Sequence, residues 1–255
     1  MRHNFVNDIG DYAKYALLRT LADNGRVPVR LGVIWYLTEH AENNSDGRKR
    51  GHLTQRGWDA LDPDLLARMR RIETALPDPR SLNIQLIENA GILPHGTVYF
   101  SEPLPRTLGN AKQRAADRLA WFARARQAVA DCDMVFLDPD NGLEVRSVAL
   151  SSPLAVKYAT LFEVKQLLDT HGAVVLYQHA DRTPWTAQRK QVCEKIASAA
   201  SRSPAIRTLR LGAYGARAFF CITSRPELTE AVDAALDHLW ARIAAWDKGR
   251  YLLLE

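Results

Sequence analysis

Cysteine is scarce in this chain, and the three present, Cys132, Cys193 and Cys221, lie far apart. No Cys-x-x-Cys or Cys/His ligand spacing occurs, which argues against a disulfide framework and against structural zinc. Each sits in or beside an apolar segment, where a free Cys acts as a small core residue in a reducing compartment. Long apolar runs are missing as well. Stretches such as Ala173–Tyr177 fall far short of the ~20 residues that span a bilayer, and Met1-Arg2-His3-Asn4-Phe5 carries no signal-peptide apolar core. A cytoplasmic protein with no membrane partner is expected. Repeats, low-complexity tracts and linkers are also lacking, so residues 1–255 are expected to form a single domain.

The composition is that of a globular protein, with 47% hydrophobic and 25% charged residues. Lys and Arg total 34 against 29 Asp and Glu, a formal net charge of +5. A mildly basic balance fits a phosphate-bearing partner such as RNA or DNA, although it is also common in proteins that bind neither.

Periodicity gives the order of elements. Asp11 is read as the cap of a first helix, Tyr12–Asp23, stopped by Asn24-Gly25. Lys14 then falls near a helix start, where a cation opposes the macrodipole, so it becomes a candidate for contact with an anion; pairing with Asp11 would explain it equally well. Val29–Leu37 reads as a strand that runs into the polar stretch Thr38–Arg50. Residues 53–93 read as a helical insertion, with Asp62 and Pro63 opening one helix and Ser81 capping a second that ends at Gly91. A strand at Thr97–Phe100 is followed by an amphipathic helix over Asn110–Ala130. In that helix Leu119, Phe122 and Val129 should point inward, and Lys112, Arg114, Arg118, Arg124 and Arg126 should line the other faces. After the apolar run Met134–Leu137 come a helix through Leu161, Val164, Leu167 and Leu168, a strand at Ala173–His179, and a helix at Pro184–Ala200. A hairpin of Ala205–Gly212 and Ala216–Thr223 and a last helix at Pro226–Trp246 complete the chain. This alternation predicts an α/β fold: a mostly parallel, Rossmann-like sheet of the methyltransferase type, flanked by helices, with an antiparallel C-terminal hairpin.

The chemistry concentrates where the run Met134–Leu137 breaks into Asp138-Pro139-Asp140-Asn141-Gly142-Leu143-Glu144. Ligands of open α/β sheets bind at the carboxyl ends of strands. Asp138 and Asp140, two apart, can converge there; Pro139 stiffens the turn, and Gly142 permits a positive φ. Such a group can accept hydrogen bonds from an exocyclic amine or a ribose. Alternatively, Asp138, Asp140 and Glu144 could ligate Mg²⁺ through oxygen, or the acids could simply cap the next element. His179 ends the following strand and would share the same rim, as a base or a phosphate contact or merely a core histidine; Arg217 carries the same ambiguity. Glu163-Val164-Lys165 resembles the Glu-x-Lys of magnesium-dependent nucleases, but its helical spacing argues against that reading.

Three blocks, in order, resemble the bacterial adenine-N6 methyltransferases of large-subunit ribosomal RNA. They are Asn7-Asp8-Ile9-Gly10-Asp11-Tyr12-Ala13-Lys14-Tyr15, the strand and loop from Val33 to Gly47, and Asp138-Pro139-Asp140-Asn141, where Asp140-Asn141 stand in place of that family's Pro-Tyr. The resemblance implies an S-adenosylmethionine-dependent enzyme acting on nucleic acid. It places Asp8, Asp11 and Lys14 near the cofactor and target base, puts Tyr36, Asn44, Asp46 and Gly47 in the cofactor cradle, and has Asp138 accept a hydrogen bond from the target amine; with the rim position of His179, the candidate catalytic residues are Asp138, Asp140, Asn141, Lys14 and His179. A divalent-metal phosphodiesterase and a noncatalytic nucleotide- or partner-binding module are the alternative functions.

Overall fold

The run Met134–Leu137 forms β3, an inner strand of a seven-stranded sheet. In the computed structural model, residues 2–38, 49–76, 82–106, 109–212, 217–246 and 252–255 are described. The strand order is β2 (Val98–Phe100), β1 (Leu31–Ile34), β3, β6 (Ala173–His179), β8 (Arg217–Thr223), β7 (Ala205–Leu211) and β9 (Leu252–Leu254). Strands β2, β1, β3 and β6 are mutually parallel. Strand β8 is antiparallel to both β6 and β7, and β9 is antiparallel to β7. Thus β7 runs with the parallel set, and β8 is wedged between β6 and β7 against the common direction. A two-stranded parallel sheet, β4 (Gly142–Leu143) with β5 (Tyr158–Ala159), lies after β3.

The inner strands β1 and β3 are short and buried along their whole length because helices cover both faces of the sheet. Period-two alternation divides each strand between two cores. Met134 and Phe136 face the core filled by α1 (Ile9–Ala22), α2 (Pro63–Ala75), α3 (Ile84–Asn89) and α7 (Pro226–Trp246). Val135 and Leu137 face the core filled by α4 (Ala111–Ala128), α5 (Leu161–His171) and α6 (Trp185–Ala199). The insertion is therefore structural on one side: Leu65, Leu66, Met69 and Ile72 of α2 join the α1 core. No helix among the described residues is long and apolar enough to cross a membrane. Cys132 and Cys221 are buried, and all three cysteines are unbridged.

Several local expectations are corrected. The first helix begins three residues earlier than expected, because Asp8 is the better cap: its carboxylate accepts from Asp11 N at 2.9 Å. Lys14 consequently sits in the second turn, beyond the strongest pull of the macrodipole. The first strand is only Leu31–Ile34, since Tyr36 takes φ 48° and breaks the extended run. The expected cap Ser81 lies outside the described residues, and α3 begins after Asn83. In α4, Leu119 is 48% exposed and Arg118 is buried. The inward face is Arg118, Trp121, Phe122 and Ala125, because a guanidinium with an internal carboxylate partner can occupy a core position that charge alone would forbid. Strands β4, β5 and β9 had no sequence signal; two or three residues are too few to show a period. The turn Ala213-Tyr214-Gly215 lies outside the described residues.

Candidate functional site

Strand β1 connects first to β2 on one side, and the chain then crosses back to β3 on the other. The carboxyl ends of β1 and β3 therefore flank the point where strand order reverses, the place where open α/β sheets leave a crevice. Asp138 is the first residue past β3. Its N–H donates to Ile34 O at 3.1 Å, extending the ladder by one rung and fixing the residue at the rim. The next residues are clamped as well. Asn141 N donates to Lys157 O at 2.8 Å, and Asn141 O accepts from His179 N at 3.1 Å and from Gln178 Nε2 at 3.2 Å. Leu143 N donates to Gln178 Oε1 at 2.9 Å. Gly142 has φ 109°, and a Cβ there would lie 2.3 Å from Gln178 Oε1, so only glycine lets the turn close against β6.

Helix α1 supplies the other wall. Lys14 Nζ lies 2.6 Å from Asp11 Oδ1 and 2.8 Å from Asp138 Oδ2, with 3% of its side chain exposed. The rings of Tyr15, Trp35 and Phe136 surround the ammonium at 4.9, 5.3 and 5.9 Å. Burial by itself would lower the Lys14 pKa, but the carboxylates of Asp11 and Asp138 outweigh it and raise the value. Burial pushes the Asp11 carboxyl up to about 6, with Lys14 pulling the other way. Asp11 Oδ2 also accepts from Asn7 N at 2.9 Å and from the Tyr15 hydroxyl at 3.3 Å.

Arg217, the first residue of β8, reaches the cap of α1, where its Nη1 donates to Asp8 Oδ2 at 3.2 Å. Gly10 makes this possible: a Cβ there would stand 1.8 Å from Arg217 Nη1. Burial works against the Arg217 charge, yet Asp8 raises its pKa. On the opposite rim Arg2 Nε lies 3.2 Å from Asp140 Oδ2. The Tyr177 hydroxyl and His179 Nδ1 are 3.2 Å apart, and burial raises the phenol pKa.

These groups enclose one cavity of about 260 Å³. Of the residues anticipated from sequence, it gathers Asp8, Asp11, Lys14, Asp138, Asp140, Asn141 and His179, together with the ambiguous Arg217. Of the two readings of Lys14, contact with an external anion or pairing with Asp11, the pair with Asp11 is present, and Asp138 is a second internal partner. Two anticipated residues lie elsewhere. The Tyr36 side chain points into the α4–α5 core, where its hydroxyl donates to Glu163 Oε2 at 3.0 Å and its ring meets Trp121 edge-on. The Glu144 carboxylate accepts from Leu161 N at 2.9 Å at the start of α5 and does not line the cavity. The set Asp138, Asp140 and Glu144 is therefore not assembled, and no group of three or more His, Cys, Asp and Glu among the described residues is placed to hold a metal ion. Asn44, Asp46 and Gly47 lie outside the described residues.

Arg2, Phe5, Lys49 and Tyr177 also line the cavity and were not anticipated. Tyr177 had a signal, since it is two residues from His179 on a strand and so shares its face. Arg2, Phe5 and Lys49 had none, because their contacts depend on chain returns that no local period records.

No protein-family model matches the chain, and no curated protein matches it. Among solved structures, the chain is similar to a protein from Legionella pneumophila str. Philadelphia 1 described by the family model DUF519. The TM-score is 0.49 at 12% identity, over 98% of this chain and 97% of that one.

Proposed function

We propose that the chain is an S-adenosylmethionine-dependent methyltransferase that acts on an amino group of a nucleic-acid base. The observation that carries this reading is the position of Asp138: a buried carboxylate at the strand-order reversal, on the wall of the cavity and held by Lys14. A wedged antiparallel strand such as β8, between β6 and β7, is the feature that distinguishes the methyltransferase-type sheet.

The residues present suit the substrate group. Asp8, Asp11, Asp138 and Asp140 line the cavity together with Arg2, Lys14, Lys49 and Arg217, so its formal charges balance, and the carboxylate oxygens are acceptors for an amine donor. S-adenosylmethionine, when bound, supplies an activated methyl group. The chain's own residues orient the acceptor. Asp138 accepts a hydrogen bond from an amine N–H and so fixes the direction of the nitrogen lone pair. Lys14 Nζ, 2.8 Å from Asp138 Oδ2, holds that carboxylate in place. Phe5 and Tyr177 line the cavity and offer aromatic faces for an extruded base, in place of the aromatic that Asn141 replaces.

The test combines binding and transfer. Thermal shift with S-adenosylmethionine and S-adenosylhomocysteine should show stabilisation by both, and radiolabelled methyl should move to RNA or DNA. Asp138→Asn should cut transfer by about 10²-fold or more, with the circular dichroism of the native fold retained. Stabilisation by magnesium or manganese and by neither adenosyl compound would overturn the proposal.

A further inference from the structure

His52 stands in the single helical turn Gly51–Leu53 and is fully buried. Its ring lies on that of Tyr12 in α1, with centroids 5.4 Å apart and planes at 21°, and meets the Trp58 ring edge-on at 6.2 Å. Neither ring nitrogen has a hydrogen-bond partner among the described residues. A neutral imidazole carries one N–H donor and one lone pair, and leaving both unmet away from water is unfavourable. A phenyl ring of similar size would carry neither group. The turn is the middle of a clasp. Lys49 O accepts from Ile9 N at 2.9 Å, at the start of α1, and Lys49 lines the cavity that holds Asp138. Arg50 Nη1 lies 2.6 Å from Glu73 Oε1, and Glu73 Oε2 accepts from Asn7 Nδ2 at 2.9 Å. Leu53 O accepts from Arg70 Nε at 2.6 Å. Residues 49–53 thus join the first turn of α1 to α2, with His52 and Leu53 pressed inward.

We propose that His52 is an acid-sensitive peg: a proton taken from solvent onto its ring drives it out from between Tyr12 and Trp58, and residues 49–53 leave α1 together, withdrawing Lys49 from the wall of the cavity. An imidazolium would hold two donors and a full charge where the neutral ring already lacks partners. The surrounding groups do not offset that charge. Asp8, at the cap of α1, favours it but is shared with Arg217. Arg50 of the same segment and Arg70 of α2 oppose it. Tyr12 stays a neutral phenol, because burial raises its pKa, and Trp58 is uncharged. Burial is the largest influence and pushes the His52 pKa down to about 4. The closed clasp therefore binds the proton less tightly than the open segment does. Closure is full above the ordinary value of 6.5 and weakens as pH falls from there through about 4.

Hydrogen exchange of the full chain, followed by NMR and corrected for intrinsic rates, tests this. From about pH 7 to about pH 4.5, the amides of Ile9 and of residues 49–53 should lose at least tenfold more protection than those of β3. His52→Phe should abolish the difference, which separates the ring from the carboxylates nearby. An equal acid-induced loss in His52→Phe would overturn the proposal, as would no loss at all, or a loss shared equally by β3. Should His52→Phe not fold, the native ring decides: its nitrogen shifts should report protonation over the pH range in which the Ile9 amide opens, and a protonated ring with the Ile9 amide still protected would overturn the peg.

Discussion

The Asp11–Lys14–Asp138 triad joins one cation to two carboxylates away from solvent, and its strain falls on Asp11. Burial raises the Asp11 pKa from 3.8 to about 6, so the folded protein binds this proton more tightly than the unfolded chain does. The sign follows from linkage: the stabilisation is full below pH 3.8 and is lost as pH rises through about 6. Urea denaturation across that window should show Asp11 lowering the stability of the native protein as pH increases. Asp11→Asn should remove that component of the slope, and an unchanged slope would assign the proton elsewhere. The carboxylates of this triad were legible in the sequence because they stand in a compact Asn-Asp-Ile-Gly-Asp block and at the end of an apolar run. The Lys14–Asp11 pair was legible as well, because the two lie within one helical turn, but the pair with Asp138 was not: Lys14 and Asp138 are 124 positions apart, and no local pattern records such a meeting.

At the scale of the element, α5 shows how one side chain can serve two structures. Thr160 and Glu163 form a reciprocal capping box at its N-terminus, and the same Glu163 carboxylate neutralises the buried Arg118 of α4. It also accepts from the Tyr36 hydroxyl. The two substitutions should therefore differ in severity. Thr160→Ala removes one cap and should cost about 1 kcal/mol. Glu163→Gln leaves Arg118 charged and uncompensated in the core and should cost about 3–5 kcal/mol. Chemical denaturation of both variants measures the difference; equal losses would mean that the ion pair contributes nothing beyond the cap. The helical period of Leu161, Val164, Leu167 and Leu168 did identify α5, and with it the reason Glu163-Val164-Lys165 is not a strand-borne metal motif. Arg118 was misread for a related reason. Helical periodicity weighs a residue by its hydropathy, so an arginine buried by a partner 45 positions away looks like a solvated one, and the neighbouring Leu119 takes the core position in its place.

For the whole molecule, the alternation of helices and strands gave the α/β class and the antiparallel hairpin, because β6, β7, β8 and α7 are long enough for a period to show. The last strand did not emerge: Leu252–Leu254 is three residues, too short for alternation, and its role depends on where β7 ends up. Strand β9 covers the outer edge of β7 through Leu209–Leu254, Arg210–Leu253 and Leu211–Leu252. Glu255 continues the pairing with Thr208 in both directions, at 2.7 and 2.8 Å. The Glu255 side chain also accepts from Trp185 Nε1 at 2.8 Å and lies 3.3 Å from Arg189 Nε, tying the edge to α6. An uncovered β7 would present unpaired backbone groups to any similar strand. Removing residues 252–255 should therefore have two effects that can be read separately. Lost backbone pairing, at roughly 1 kcal/mol per hydrogen bond, should lower stability by about 2–4 kcal/mol in urea. The open edge should produce light scattering that grows with protein concentration. Lower stability without association would mean that the twist or charge of β7, which carries Arg207 and Arg210, protects the edge by itself. Association without lost stability would make β9 a cover for the sheet rather than a support of it.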